Sequence, residues 1–450
     1  MSRTTGSLIE HLKRNGVHVA VVAPHCTSVQ PTACTGEDRA ELRLSGYPLP
    51  FNPDLKIAYP FRLDRIYART FTPDVIYLAS PASVGFQFLL QMRQLLSPPI
   101  ILLNFQTDLA AYSKILFVAP VDRYAQWLLQ IVQGFLFRHK AVHTIFYPCM
   151  QVRRYLEGAG APVGRMVHLG RGVDTTLFNS CHRDEAYRRQ LAPRGEIILL
   201  SVSRLAPEKG YEFLSRVASR LKALQLPFKL LIVGGNSNLA VEEEVRECFR
   251  TMEEDVIFTG FLEGAALARA YASADLFLHC SVTETFGLVV LESFASAVPV
   301  IARDQGGPSE IVRHGLSGYL VPPDNLECFV AHIRELASQP TLLSQMSKAA
   351  RDQALGTTWE RINNKVAWQL ANALSEQALP ESASLPYYRI VQYSLVNEII
   401  ITSSGWRKFA ASFMSAMNFE VSIGLIWFFW QIAVLPLLIC GFFRYQRFDS

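Results

Sequence analysis

Two carboxylates, Glu284 and Glu292, frame the most chemically suggestive stretch of the chain, SVTETFGLVVLESFASAVPVIARDQGGPSE (281–310). TFGLVVLESFASA reads as a helix that is apolar on nearly every face, and such a helix belongs in a core. The run ADLFLHC (274–280) before it reads as a buried parallel strand, and Ser281 to Glu284 as a turn with capping chemistry. Glu292 then lies inside an apolar helix, where a lone carboxylate is costly unless paired or hydrogen-bonded. Glu284 lies at the mouth of the same helix. A polar ligand docked there would satisfy both acids, and the free N–H groups and dipole of a helix N-terminus favour a phosphate. The plainer alternative is a core helix with a snorkelling Glu and an unrelated acid upstream.

The spacing E-x7-E, with Phe286–Gly287 after the first acid and Gly306–Gly307 downstream, resembles the retaining family 4 glycosyltransferases of the GT-B fold. The resemblance covers roughly residues 4–375. It implies an α/β fold of two Rossmann-like, doubly wound domains facing a cleft. By position it puts Glu284 beside the donor sugar and Glu292 on the nucleotide ribose, with Thr285, Phe286, Gly287 and Leu288 opening the helix that meets the diphosphate. Arg204 and Lys209, in RLAPEKG (204–210), match the pair that clamps the diphosphate in this family. Two fixed cations at that place favour the transition state, because the leaving group gathers negative charge. Gly234 closes the strand-like run FKLLIVGG (228–235), as expected beneath a nucleotide. Leu262 belongs to the turn where relatives read the base, mostly through backbone groups.

One motif departs from the family. Many members carry a His near the reacting sugar, whereas this chain has Gln106–Thr107–Asp108 at the end of PIILLNFQTDL (99–109). Gln106 and Asp108 are therefore the candidates at that position. Q-T-D followed by a small residue and an aromatic resembles the branch that uses GDP-mannose to build mannosyl glycolipids. The sulfoquinovosyl- and diacylglycerol-directed group, which uses UDP-sugars, is the second near relative. A polar strand-end turn without a catalytic role is the remaining reading.

The elements that must position these residues alternate between strand-like and helix-like runs. Residues 1–180 are expected to form the acceptor-side domain and 181–356 the nucleotide-sugar domain, followed by a crossover helix over 357–375. Relatives begin with one more strand and a Gly-rich loop, so Met1 is expected to fall inside that loop and the first strand to be missing. A strand is read at 17–23, and residues 25–60 as loops, because Pro31, Pro48, Pro50, Pro53 and Pro60 interrupt any long element. The stretch 112–137 reads as a core helix pair, with a surface that touches lipid as the other reading. Gly170–Arg171–Gly172–Val173–Asp174 resembles the family's inter-domain motif, with Arg171 where Asn is frequent. Glu310 reads as a dipole partner at a helix start.

Hydrophobic residues make up 50% of the 450 and charged residues 18%, and the net charge is +4, too small and scattered to argue for nucleic acid. The eight cysteines lack C-x-x-C or zinc-ligand spacing and read as reduced core residues of a cytosol-facing catalytic domain. No D-x-D occurs, so a metal-independent reaction and no cofactor beyond the nucleotide sugar are expected. After a linker and a weak interfacial helix over 376–420, residues 421–443 contain no charge. About 20 apolar residues span a bilayer core as helix, so a single C-terminal membrane anchor is expected. Together these features imply transfer of a hexose to a lipid or other hydrophobic acceptor at a membrane. A sugar-nucleotide epimerase, a phosphorylase and a non-catalytic membrane-anchored subunit are the alternatives.

Overall fold

The computed structural model describes residues 3–24, 41–49, 52–79, 83–92, 95, 98–105, 121–236, 238–281, 284 and 286–377. Gln106, Asp108, Thr285 and the expected membrane span at 421–443 lie outside these residues. Among the described residues no helix is long and apolar enough to cross a membrane. The described residues divide into two compact units: those of Leu8–Tyr147, Val152–His168 and Val366–Ser450, and those of Met1–Ser7, Pro148–Gln151 and Leu169–Lys365.

The chain opens with α1 (Arg3–Arg14) and β1 (Val21–Pro24), shorter than the strand read at 17–23. β1 pairs in parallel with β2 (Glu41–Leu44), and β3 (Gly46–Leu49) pairs antiparallel with β4 (Asn52–Ala58). Residues 41–44, 46–49 and 52–58, expected as loops, are thus strands, with Pro48 and Pro53 inside them. Each strand of a two-stranded ribbon keeps one edge without a ladder, which is where a missing N–H is tolerated. There follow α2 (Leu63–Arg69), β5 (Val75–Leu78), α3 (Ser83–Met92), β6 (Ile100–Asn104), α4 (Val121–Phe137), β7 (Val142–Tyr147), α5 (Met150–Gly158) and β8 (Met166–His168). β5 to β8 form a parallel sheet in chain order, and β6 is buried at every position, as a strand covered on both faces must be.

α4, the described part of the stretch 112–137, is not wholly buried as a core helix would be. Leu136 and Phe137 are buried, yet Tyr124, Trp127, Ile131 and Phe135 are 46%, 56%, 51% and 47% exposed. Their spacing puts them on one face of the helix.

The other unit continues with α6 (Glu185–Leu191), β9 (Ile197–Val202), α7 (Tyr211–Ala223), β10 (Phe228–Val233), α8 (Leu239–Glu247), β11 (Val256–Gly260), α9 (Gly264–Ala272) and β12 (Leu276–His279). It is completed by α10 (Leu288–Ala295), β13 (Val300–Arg303), α11 (Pro308–Ile311), β14 (Gly318–Val321), α12 (Leu326–Ser338) and α13 (Pro340–Leu355); α14 (Trp359–Gln377) is the last described helix. The six strands are all parallel in the order β11-β10-β9-β12-β13-β14, the doubly wound arrangement expected of a Rossmann-like domain. β9 pairs with β10 from Ile197 to Val202, but with β12 only at Leu199–Leu276 and Leu200–Phe277.

Strand alternation sorts the core into two layers. Ile198, Leu200, Phe277, Val300 and Ala302 face α9, α10 and α13, while Leu199, Leu276, Leu278 and Ile301 face α7 and α12. Among the described cysteines Cys149 and Cys280 are buried, but Cys181 and Cys248 are exposed, so the reading of cysteines as core residues holds only in part. Phe294 of α10 is wholly buried in the first layer. Phe294→Ala is expected to cost about 3–5 kcal/mol of stability by urea unfolding; a loss below about 1 kcal/mol would mean this layer is loosely packed.

Candidate active site

In an open doubly wound sheet, ligands bind beyond the carboxyl ends of the strands where the strand order reverses. Here that point lies between β9 and β12, and the loops leaving these two strands carry Arg204, Lys209 and Glu284. Lys209 ends a 3-10 turn, Pro207–Lys209, and Gly210 follows with φ of 77°. A side chain at Gly210 would also collide with the Cys280 carbonyl, so glycine lets the β9 loop press directly against the β12 loop.

That approach brings Lys209 Nζ to 3.0 Å from Glu284 Oε2, with the two side chains only 17% and 23% exposed. The Gly287 N–H donates to Glu284 Oε1 at 3.2 Å, so both carboxylate oxygens are engaged. The Glu284 carbonyl accepts from the Gly307 N–H at 2.8 Å. Burial pushes the Glu284 carboxyl up, but Lys209, His279 and the Gly287 N–H together outweigh it and hold the carboxyl below its ordinary value. Glu284 is therefore ionised at neutral pH.

The helix begins later than its apolar pattern suggests. α10 starts at Leu288 because Gly287 adopts φ of 90°, a left-handed conformation in which the helix cannot continue backwards. Phe286 is buried, Gly287 is buried and Leu288 is half-buried at this entry. The Arg171 guanidinium lies 5.7 Å over the Phe286 ring. Burial lowers its pKa, and the Glu284 carboxylate partly offsets that effect.

The remaining expected residues are placed differently from one another. Arg204 is 62% exposed and pairs with Glu208 at 3.1 Å, not with a carboxylate of the β12 loop. Gly234 ends β10, and its N–H donates to the Gly260 carbonyl at 2.9 Å. Leu262 is half-buried and packs on the layer that includes α10. Glu292 is 4% exposed and accepts a hydrogen bond from the Tyr271 hydroxyl at 3.0 Å. Glu310 sits in the first turn of α11, as read, and accepts from the Met150 N–H.

The structure adds residues that the motifs did not single out. His279 ends β12 and, by alternation with Phe277, points to the α10 face of the sheet. It is 5% exposed, and its Nδ1 has no hydrogen-bond partner among the described residues. Burial lowers its pKa to about 4; Glu284 opposes that shift and Lys209 reinforces it, so the ring is neutral at pH 7. A polar residue inside the apolar run ADLFLHC was its only sequence signal. Tyr271 had none, since its neighbours in YASAD read as ordinary core.

Residues 1–172 match the family described as "Glycosyl transferase 4-like domain", and residues 183–353 match "Glycosyl transferases group 1". The GDP-mannose-dependent alpha-mannosyltransferase of Mycolicibacterium smegmatis is 33% identical over 377 residues, 83% of this chain and 93% of the relative. The sulfoquinovosyl transferase SQD2 of Arabidopsis thaliana is 29% identical over 374 residues, 80% of this chain and 68% of the relative. Among solved structures, sucrose-phosphate synthase from Thermosynechococcus elongatus superposes with a TM-score of 0.65 at 21% identity, covering 83% of this chain and 93% of that one, a likeness of fold. The sheets and the matched families define a glycosyltransferase of the GT-B class. The chain belongs to glycosyltransferase family 4. It is accordingly a hexosyltransferase that retains anomeric configuration, and the reading of a non-catalytic subunit is set aside.

Because the folded carboxyl of Glu284 is held low, its ionisation contributes stability above the ordinary carboxylate range. That contribution is lost as the pH falls through the lowered folded value. Lys209→Met removes the largest of the effects that lower it, so the difference in urea midpoint between about pH 7 and about pH 3 should shrink. An unchanged difference would show that the two groups are not coupled.

Proposed function

We propose that this glycosyltransferase moves mannose from GDP-mannose to a lipid or other hydrophobic acceptor, forming an α-linkage. The observation that carries the donor end of this reading is the Lys209–Glu284 pair, half-buried beyond the ends of β9 and β12. Lys209 would swing from the carboxylate to the donor diphosphate, joined by Arg204, whose side chain already lies in solvent. The two cations then offset the charge that grows on the leaving diphosphate. Glu284 accepts hydroxyls of the transferred sugar, and Glu292 takes the ribose. Backbone groups from Thr285 to Leu288 meet the phosphates at the helix mouth, and Gly234 and Leu262 border the nucleoside. Gln106 and Asp108 would stand beside the reacting sugar.

In the reaction the acceptor oxygen attacks the anomeric carbon on the face from which the diphosphate leaves. The bond from that carbon to the phosphate oxygen breaks as the new C–O bond forms, and the departing oxygen takes the acceptor's proton. Configuration is retained, and the route calls on no metal ion. Mannose and guanine are inferred from the Mycolicibacterium relative. The sulfoquinovosyl relative favours the second reading, a glycolipid synthase that uses a UDP-sugar.

The acceptor end rests on apolar surface. The stripe Tyr124, Trp127, Ile131 and Phe135 is exposed along α4, with Arg123 and Lys140 exposed near its ends, a pairing suited to anionic headgroups. The uncharged run 421–443 is long enough to anchor the chain in a bilayer, with both units on the cytosolic side.

The full chain in detergent should turn over GDP-mannose, with kcat/KM lowered by roughly 100-fold or more in Glu284→Ala and Lys209→Ala. Turnover of UDP-sugars alone would replace the mannosyl reading with the sulfoquinovosyl-like one. Trp127→Ser combined with Ile131→Ser should weaken adsorption to anionic vesicles by at least about tenfold, since each side chain buries apolar area in the interface. Unaltered vesicle binding would remove α4 from the acceptor side.

A further inference from the structure

We propose that Tyr271 is a positioning residue for the donor: its buried hydroxyl fixes the Glu292 carboxylate in the orientation that receives the ribose hydroxyls. The inference rests on the reading of Glu292 as the ribose residue, and it names what holds that residue in place.

Glu292 has an unusual problem. It lies on α10 between Leu291 and Ser293, with Val290, Phe294 and Ala295 buried around it, and is itself only 4% exposed. An ionised carboxylate there is costly unless hydrogen bonds replace the water it has lost. A Glu side chain also has three rotatable bonds, so an unrestrained carboxylate would sample several orientations at an entropy cost on binding.

Tyr271 answers both needs. Its hydroxyl donates to Glu292 Oε2 at 3.0 Å from the neighbouring helix α9. The donor cannot wander, because its ring is fixed on two sides. It stacks on Phe277 of β12, with centroids 5.7 Å apart and planes at 29°, and meets Phe178 edge-on at 5.6 Å and 89°. All three rings are buried, Tyr271 completely. Ring packing alone would be served equally by Phe, so the hydroxyl is the chemically informative atom. A carboxylate offers about four lone-pair positions, and Tyr271 takes one whose direction then sets the others. Glu292 is in this way aimed before any ligand arrives, which is the condition for a hydrogen bond to favour binding.

The test is Tyr271→Phe in the full chain, read by the affinities of GDP and UDP and of their 2′,3′-dideoxy counterparts. The quantity is the ratio of dideoxy to parent Kd. Both ligands see the same folded population, so partial unfolding cancels from that ratio. In the wild type the ratio should be large, and Tyr271→Phe should lower it about tenfold, mainly by weakening the parent nucleotide. With GDP-mannose as substrate the same variant should raise KM with kcat nearly unchanged, since the lost contact is made in ground and transition states alike. Equal weakening of parent and dideoxy ligands, or no weakening of either, would overturn the proposal. Glu292→Gln separates the two layers of the argument. If it lowers the ratio while Tyr271→Phe does not, the ribose reading stands and the positioning role falls. If it leaves the ratio unchanged, or neither diphosphate binds the wild type, the donor reading fails and takes this proposal with it.

Discussion

The ion pair between Lys209 and Glu284 is the constraint around which the unit built on β9 to β14 is arranged. It joins the loops that leave two adjacent central strands, and it does so at partial burial, where a charge without its partner is expensive. Several otherwise separate features follow. Gly210 must lack a side chain so that the loops can touch. Gly287 must take a left-handed conformation so that its N–H reaches back to the carboxylate before α10 begins. His279, which ends β12, is kept neutral at pH 7 chiefly by its burial. Within the fold the pair satisfies its own charges.

The second acid is handled by a different physical device. Glu284 is stabilised by charge at the rim of the sheet, whereas Glu292 is stabilised by a hydrogen bond inside the core. The two carboxylates of the motif thus have separate support, one electrostatic and polar, the other built from aromatic packing. Glu284 precedes α10 in the loop that leaves β12, while Glu292 lies inside the helix, and Lys209 and Tyr271, which bond to them, come from different elements.

Much of this was legible in the residues. The E-x7-E stretch and the Arg204–Lys209 loop marked candidates, of which the fold brings Glu284 and Lys209 together, and the apolar runs at 197–202, 228–233 and 276–279 marked the buried strands, because parallel strands covered on both faces have little choice of composition. What could not be read depends on position rather than type. Prolines at 48 and 53 argued for loops, since nothing local says that a strand will have a free edge. The apolar residues of α4 argued for burial, since composition does not say which face a helix turns inward. Tyr271 was invisible because its meaning lies in a carboxylate on another helix, twenty-one positions along the chain.

The join between β9 and β12 bears on how this half of the protein holds together. The two strands pair at Leu199–Leu276 and Leu200–Phe277, and just before β12 the Asp275 N–H donates to the Ile198 carbonyl at 2.9 Å while the Ile198 N–H donates to the Asp275 carboxylate at 2.8 Å. These two strands are far apart in the chain, so bringing them together costs loop entropy. A nucleotide that grips loops from both strands would act as a clasp across the join. Recognition of the donor and cohesion of the sheet would then draw on the same free energy.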